Sequence, residues 1–240
     1  GQNKAPGEFR KIPNWIGPPG CTMEDAQYIP VSAEKLPEFM GRWETFVHEP
    51  YPDVLVQLAL MHAEFEALHP FLDGNGRLGR MMIPLYLWQR GLIQRPMFYV
   101  SAYFEAHRDQ YYDGLLAVSQ DDNWTGWCQF FLEAIRIQAE DNLKKAQAIL
   151  KLYEEMKNKL PQLTHSQFAI RALDWLFCQP IFNRSTFINS SEIPRPTAHR
   201  ILSVLEENNV LKVLVAGSGR RSAVLVFPRL LSIAEGKEIV

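Results

Sequence analysis

With 240 residues and 47% hydrophobic content, the chain has enough apolar mass for one large domain or for a medium domain plus a small one, which excludes disorder throughout. A net charge of −2 gives no sign of wholesale nucleic-acid binding. Three widely spaced cysteines, Cys21, Cys128 and Cys178, argue against a disulfide framework or thiolate zinc site and for a reducing, cytoplasmic setting; apolar runs long enough to cross a bilayer are absent, and the polar first ten residues do not read as a signal peptide.

Residues 11–37 are rich in Pro and Gly, with Ile12, Trp15, Ile16, Tyr28, Ile29 and Val31 between them. They predict extended segments around a turn at Pro18-Pro19-Gly20, in the manner of a hairpin. Helical spacing follows: Val54, Leu55, Leu58, Met61, Phe65 and Leu68 form one apolar face over residues 53–68. A second helix is expected from Gly76 to about Gln89, closed by Gly91, with Pro84 kinking it or costing it a hydrogen bond. Residues 108–118 and 124–157 also read as helices, the latter long and amphipathic, until Pro161 breaks the pattern.

Pro161 marks the expected boundary between a domain of residues 1–160 and one of residues 161–240. Beyond it, helices are expected at 165–177, 184–190 and 196–207, then β segments at 210–215 and 223–227 joined by a Gly-rich turn. Three helices and a hairpin describe a winged helix-turn-helix. Charge divides at the same place: nine Lys/Arg against six Asp/Glu from Pro161 onward, and sixteen against twenty-one before it.

The segment richest in chemistry is His69-Pro70-Phe71-Leu72-Asp73-Gly74-Asn75-Gly76-Arg77-Leu78-Gly79-Arg80. An apolar helix ends there, a Gly-rich turn follows, and a new helix begins. Gly74 and Gly76 let backbone approach an anion closely, and the helix start directs free N–H groups and its positive dipole end at the same point. Arg77 and Arg80, three apart, are neighbours on the helix surface and match a polyphosphate. Asp73 is a hard oxygen ligand suited to a Mg²⁺ that bridges phosphates, and His69 is the natural general base for an attacking hydroxyl. Singly, each has a plain structural explanation as a cap, turn or solvated residue; together, within twelve residues, they describe a nucleotide-phosphate site. His62, on the apolar helix face, reads as a hydrogen-bonded core histidine.

This segment resembles the His-Pro-Phe-x-Asp-Gly-Asn-Gly-Arg-x-x-Arg signature of the Fic family of nucleotidyltransferases. The resemblance extends to Gly7-Glu8-Phe9-Arg10, Asn14-Trp15-Ile16-Gly17, His62-Ala63-Glu64-Phe65-Glu66 and Tyr111-Tyr112, and so covers roughly residues 7–140. It implies a mostly α-helical Fic-type core with a small hairpin flap at about residues 12–31, followed by the winged helix. The implied activity is transfer of AMP from ATP to a Ser, Thr or Tyr hydroxyl of a target protein, the chain itself included. His69 would be the base and Asp73 the Mg²⁺ ligand. Gly74, Asn75 and Gly76 would form the anion hole, with Asn75 orienting the α-phosphate; Arg77 and Arg80 would hold the outer phosphates, and Leu78 and Gly79 complete the ATP-binding run. Tyr111 and Tyr112 are the candidates for stacking on adenine, Tyr112 the favoured one. Relatives that transfer phosphate carry lysine where this chain has Gly76, which points to AMP.

Many proteins of this kind are restrained by a helix with the pattern [Ser/Thr]-x-x-x-Glu-[Gly/Asn], expected ahead of the core. Residues 1–60 hold no such pattern, while residues 203–208 fit it within the winged module. That module carries Arg195, His199, Arg200, Lys212, Arg220 and Arg221. DNA contact and a protein-interaction role both stay open for it, as do two alternative functions for the chain: a DNA-binding regulator that uses the site as a nucleotide sensor, and removal of AMP.

Overall fold

Asp53 opens the central helix of the protein. Its carboxylate accepts the backbone N–H groups of Leu55 (2.8 Å) and Val56 (3.0 Å), an N-cap that starts α2, Val54–Leu68. The computed structural model describes residues 7–18, 20–219 and 221–238; Pro19 of the expected turn and Arg220 of the expected wing lie outside them. Its Cα packing separates two units, Gly1–Glu140 and Asp141–Val240.

In the first unit α2 is surrounded. Besides the expected apolar face, Gln57, Ala59, His62, Ala63 and Glu66 are buried, so the helix is enclosed on nearly every side. Its buried polar groups are answered. Gln57 donates to Phe46 O (2.6 Å) and accepts from the Tyr86 hydroxyl (2.5 Å), while the indole N–H of Trp127 bonds Ala59 O (2.8 Å). Around it stand α1 (Leu36–His48), α3 (Asn75–Gln89), α4 (Ser101–Ala106), α5 (Arg108–Asp121) and the start of α6 (Trp124–Thr164). Leu58, Ile83, Phe104, Trp127 and Phe131 fill the space between them.

α1 and α4 are not expected from the sequence pattern. Gly41 interrupts the first, and the second has six residues; tertiary packing, of Leu36 and Phe104 among others, holds them. Helix α3 runs through Pro84 without ending. That residue has no N–H for the Arg80 carbonyl, and burial of Ile83, Tyr86 and Leu87 holds the helix across the gap. The hairpin of residues 12–31 closes on a single antiparallel bridge, Ile16↔Tyr28, with N···O distances of 2.9 and 3.1 Å.

The second unit begins within α6. Pro161 does not stop that helix, which continues to Thr164. Leu160 and Thr164 are fully buried, the Thr164 hydroxyl bonds Leu160 O (2.8 Å), and Arg200 caps Thr164 O (2.7 Å). Those contacts offset the bond that proline cannot donate. Then come α7 (Ala169–Cys178), β1 (Ile181–Asn183), α8 (Arg184–Ser190), α9 (Arg195–Glu207), β2 (Lys212–Val215), β3 (Val224–Val226) and α10 (Pro228–Glu235). The strands form an antiparallel sheet in the order β1-β3-β2, with Phe182 opposite Leu225 and Val213 opposite Leu225 on the other side. β1, three residues long, and α10 are further elements that the pattern does not announce. Among the described residues no helix is long and apolar enough to cross a membrane.

Leu173 is completely buried in the core of the second unit, beside Phe187 and Leu202. Leu173→Ala is expected to destabilise this unit by about 2–5 kcal/mol in chemical denaturation.

Candidate active site

The turn between α2 and α3 is made by residues held in left-handed backbone. His69 ends α2 at φ 46°, ψ 58°, and Gly74 precedes α3 at φ 88°. Glycine takes that conformation freely, whereas for histidine it costs about 1 kcal/mol, so neighbouring groups must fix it. Arg10, almost wholly buried, does so: Nε donates to His69 O (3.0 Å), and Nη2 donates to Leu68 O (3.3 Å) and to Val31 O. Its backbone N–H bonds Pro70 O (2.9 Å). Asn14 Nδ2 adds bonds to His69 O and Phe71 O, both 3.3 Å. Carbonyls that a helix end leaves unpaired thus find donors from the N-terminal segment. Arg10 and Asn14 are site-building residues to which motif reading gives no role.

Within the turn, Asn75 Oδ1 accepts Phe71 N–H (2.9 Å) and Nδ2 donates to Phe71 O (2.7 Å). The carboxamide is therefore committed to the loop, and the donor that Asn75 leaves for a ligand is its backbone N–H. α3 has no side-chain cap, and its first backbone bond runs from Leu78 N to Gly74 O (3.0 Å). The N–H groups of Asn75, Gly76 and Arg77 precede that bond and have no helical acceptor. Leu78 has given its N–H to the helix.

Gly76 and Gly79 lie one turn apart and face α2. A Cβ on Gly79 would collide with Glu66 Oε1, and one on Gly76 would stand 3.2 Å from Arg80 Nη1 and 3.8 Å from Glu66 Oε2. The bare Cα of Gly79 is what lets the Glu66 carboxylate fit under α3. Glu66 is nine-tenths buried, and its Oε1 has no hydrogen-bond partner. Burial pushes its carboxyl up to about 7, against the pull of the Arg80 guanidinium. Arg80 itself makes no direct ion pair among the described residues. Arg77 is exposed and stands 3.7 Å from Asp73.

His62 is enclosed, stacked 6.1 Å from Trp127 at 4° between ring planes, and burial drives its pKa down to about 3. Gly79 O, 3.2 Å from Nδ1, can only accept, so Nδ1 carries the proton and Nε2 accepts from the Tyr111 hydroxyl at 2.9 Å. Tyr111 is consequently a core residue, with burial raising its pKa well above 10. Its ring is not free to stack on a base. Tyr112 is 48% exposed, with the Arg108 guanidinium 5.6 Å over its ring.

His69 Nδ1 lies 3.4 Å from Glu66 O, and burial lowers the pKa of the ring. The carbonyl fixes the Nδ1–H tautomer and leaves Nε2 as a lone pair. Asp73 is exposed, and no cluster of three His, Cys, Asp or Glu side chains suited to a metal occurs among the described residues. A single carboxylate beside an anion nest fits Mg²⁺ brought in with phosphates, since that ion keeps its other ligands from phosphate and water.

A helix N-terminus with a left-handed glycine before it and an arginine one turn into the helix is an arrangement that can receive an anion. Residues 1–87 match the Fic/DOC family. A probable protein adenylyltransferase of Aquifex aeolicus is 44% identical over 41 residues, 17% of this chain and 13% of that protein. The crystal structure of a Fic family protein from Desulfovibrio desulfuricans superposes with a TM-score of 0.53 at 19% identity. That superposition covers 92% of this chain and 62% of the other, and the likeness is one of fold. The chain thus spans a small part of the first relative and under two thirds of the second.

Replacing Glu66 by Gln tests its burial. Because the carboxyl is raised from 4.5 to about 7 in the fold, the folded state binds its proton more tightly, and stability falls as pH rises through that window. At pH 5 native and E66Q should be equally stable. At pH 8 E66Q is expected to gain about 3 kcal/mol on the native chain in urea unfolding.

Proposed function

We propose that this chain transfers AMP from ATP to a hydroxyl of a target protein, releasing pyrophosphate. The observation that carries the reading is the start of α3: three backbone N–H groups with no helical acceptor, behind a left-handed Gly74, beside an Arg80 that makes no ion pair among the described residues. Such a nest with a positive helix end suits a polyphosphate. Transfer at phosphorus needs positioning and charge stabilisation more than covalent chemistry.

In this reading His69 Nε2 takes the proton of the attacking hydroxyl, its own Nδ1–H held by Glu66 O. The N–H groups of Asn75, Gly76 and Arg77 receive α- and β-phosphate oxygens, with Gly74 giving the loop its turn. Arg77 and Arg80 hold the outer phosphates. Asp73 would hold Mg²⁺, which would supply charge neutralisation on the phosphates. Tyr112 offers a face to the adenine. Gly79 serves by making room for Glu66, and Leu78 by closing the first helical turn. The single-bridge hairpin at Ile16 and Tyr28 is the flap against which the extended backbone of a target would align.

The order α7, β1, α8, α9, β2, β3 in the C-terminal unit supports a winged helix-turn-helix. Within it Arg184 pairs with Glu206, Arg195 bonds Asn189 Oδ1 (3.0 Å) and Arg200 caps Thr164 O. Cations with internal partners weaken the electrostatic case for DNA, so contact with a protein is the favoured role.

With Mg²⁺ and α-labelled ATP, the native chain is expected to label itself or a protein in a lysate. His69→Ala should lower the rate by about 10²–10⁴-fold, the range for loss of a general base, and Arg80→Ala should chiefly raise KM for ATP. Undiminished labelling by H69A would exclude the assigned base. Since burial lowers the His69 pKa and the base must be neutral, the acid limb of kcat should lie below pH 6.5.

A further inference from the structure

Glu66 is a buried carboxylate with an orphaned oxygen, in the one place where the chain is expected to receive a highly charged anion. Gly76 and Gly79 present no side chain to it. The groups that face it can be named from every element packed there: His62 on its own helix, Arg80 on α3 and Tyr111 on α5, with His69 one turn further along. His62 is neutral. The hydrogen of the Tyr111 hydroxyl goes to His62 Nε2, so Tyr111 can offer Glu66 only a lone pair. Arg80 is the sole positive charge among these neighbours, and a Cβ built on Gly76 would stand 3.2 Å from its Nη1 and 3.8 Å from Glu66 Oε2, so both groups border the same glycine.

We propose that Glu66 is a positioning residue of the phosphate site, steadying Arg80 over the nest when the site is empty and taking up a proton from solvent when a polyphosphate binds. The inference rests on the nucleotide reading above and deepens it. A polyphosphate at the start of α3 draws the Arg80 guanidinium to itself and brings several negative charges toward a carboxylate that water does not reach. An unpaired buried anion neutralises instead of remaining charged. Binding is therefore coupled to one proton, transferred from water to a Glu66 oxygen, with no bond of the nucleotide altered. The position of the Glu66 carboxyl near neutrality puts this coupling within the working range of pH. It weakens nucleotide binding as pH rises, because the anionic carboxylate then competes with phosphate for Arg80.

The test is calorimetric titration of the whole chain with Mg²⁺ and a β,γ-imido analogue of ATP, in Hepes and in Tris, whose different ionisation heats report protons taken up. At pH 8 the native chain should take up more protons on binding than E66Q, whatever the ligand itself contributes to both. E66Q should bind on the order of tenfold more tightly at pH 8.5 and equally at pH 5.5, tenfold being the ratio for one pKa unit of coupling. Arg80→Gln, at the entrance of the site, should also reduce the uptake, since Glu66 is then protonated before ligand arrives; it serves if E66Q fails to fold. Binding by the native chain with the same proton count in E66Q, or in R80Q where E66Q does not fold, overturns the role of Glu66 alone. A native chain that binds no nucleotide overturns the nucleotide reading and this inference together.

Discussion

Two helices meet here across residues that have no side chains. Gly76 and Gly79 face α2 one turn apart on α3, and the carboxylate of Glu66 occupies the room that a Cβ on Gly79 would take. Much of the site follows from this approach. It brings the start of α3 close to the end of α2, so the loop between them must turn sharply through a left-handed His69 and a left-handed Gly74. It also places Gly79 O on His62, which sets the tautomer of that ring and, through it, the hydroxyl of Tyr111. A larger residue at position 79 would separate α2 from α3 and release the whole arrangement.

The loop depends in turn on groups far away in sequence. Arg10 and Asn14 supply donors to Leu68, His69 and Phe71, while Asn75 ties the loop to itself. The consequence is a division of labour. Polar side chains are used to hold the backbone, and the N–H groups at the start of α3 are left without helical acceptors. Preorganised donors of this kind need no rearrangement when charge develops, which suits the proposed transfer, where positioning matters most. His69 gains from the same economy: its carbonyl is fixed from one side and its Nδ1 from the other, so the free nitrogen has a defined direction.

Much of this could be read before any coordinates. Local rules set the apolar spacing of α2 and the helix that begins beside the Gly-rich turn. They also indicated that His62 belongs to the core. What escaped was decided by tertiary burial. The pair Tyr111-Tyr112 gives no sign that the first ring turns inward to His62 and the second outward. A carboxamide in a Gly-Asn-Gly turn looks available to a phosphate until Phe71 is found holding both its ends. Glu66 looks like a solvated helix residue, because nothing local says that two glycines from another helix will cover it. Pro161 reads as a stop, yet buried Leu160 and Thr164 keep the last turn of α6 wound. β1 and α10 are short and draw their stability from the sheet and core they join.

The central claim is that the start of α3 is the polyphosphate seat. A second concavity in the same unit provides a clear rival, a cavity of about 810 Å³ lined by Phe39, Trp43, Phe46, Tyr51 and Trp124 among others. Its aromatic walls would suit a base, but the start of α3 does not line it. A crystal structure of the chain grown with Mg²⁺ and a non-hydrolysable ATP analogue decides between them. The account predicts phosphate oxygens within hydrogen-bond distance of the N–H groups of Asn75, Gly76 and Arg77, with Arg80 on the outermost phosphate. An ordered nucleotide seated in the aromatic cavity, with the start of α3 bare, would contradict it.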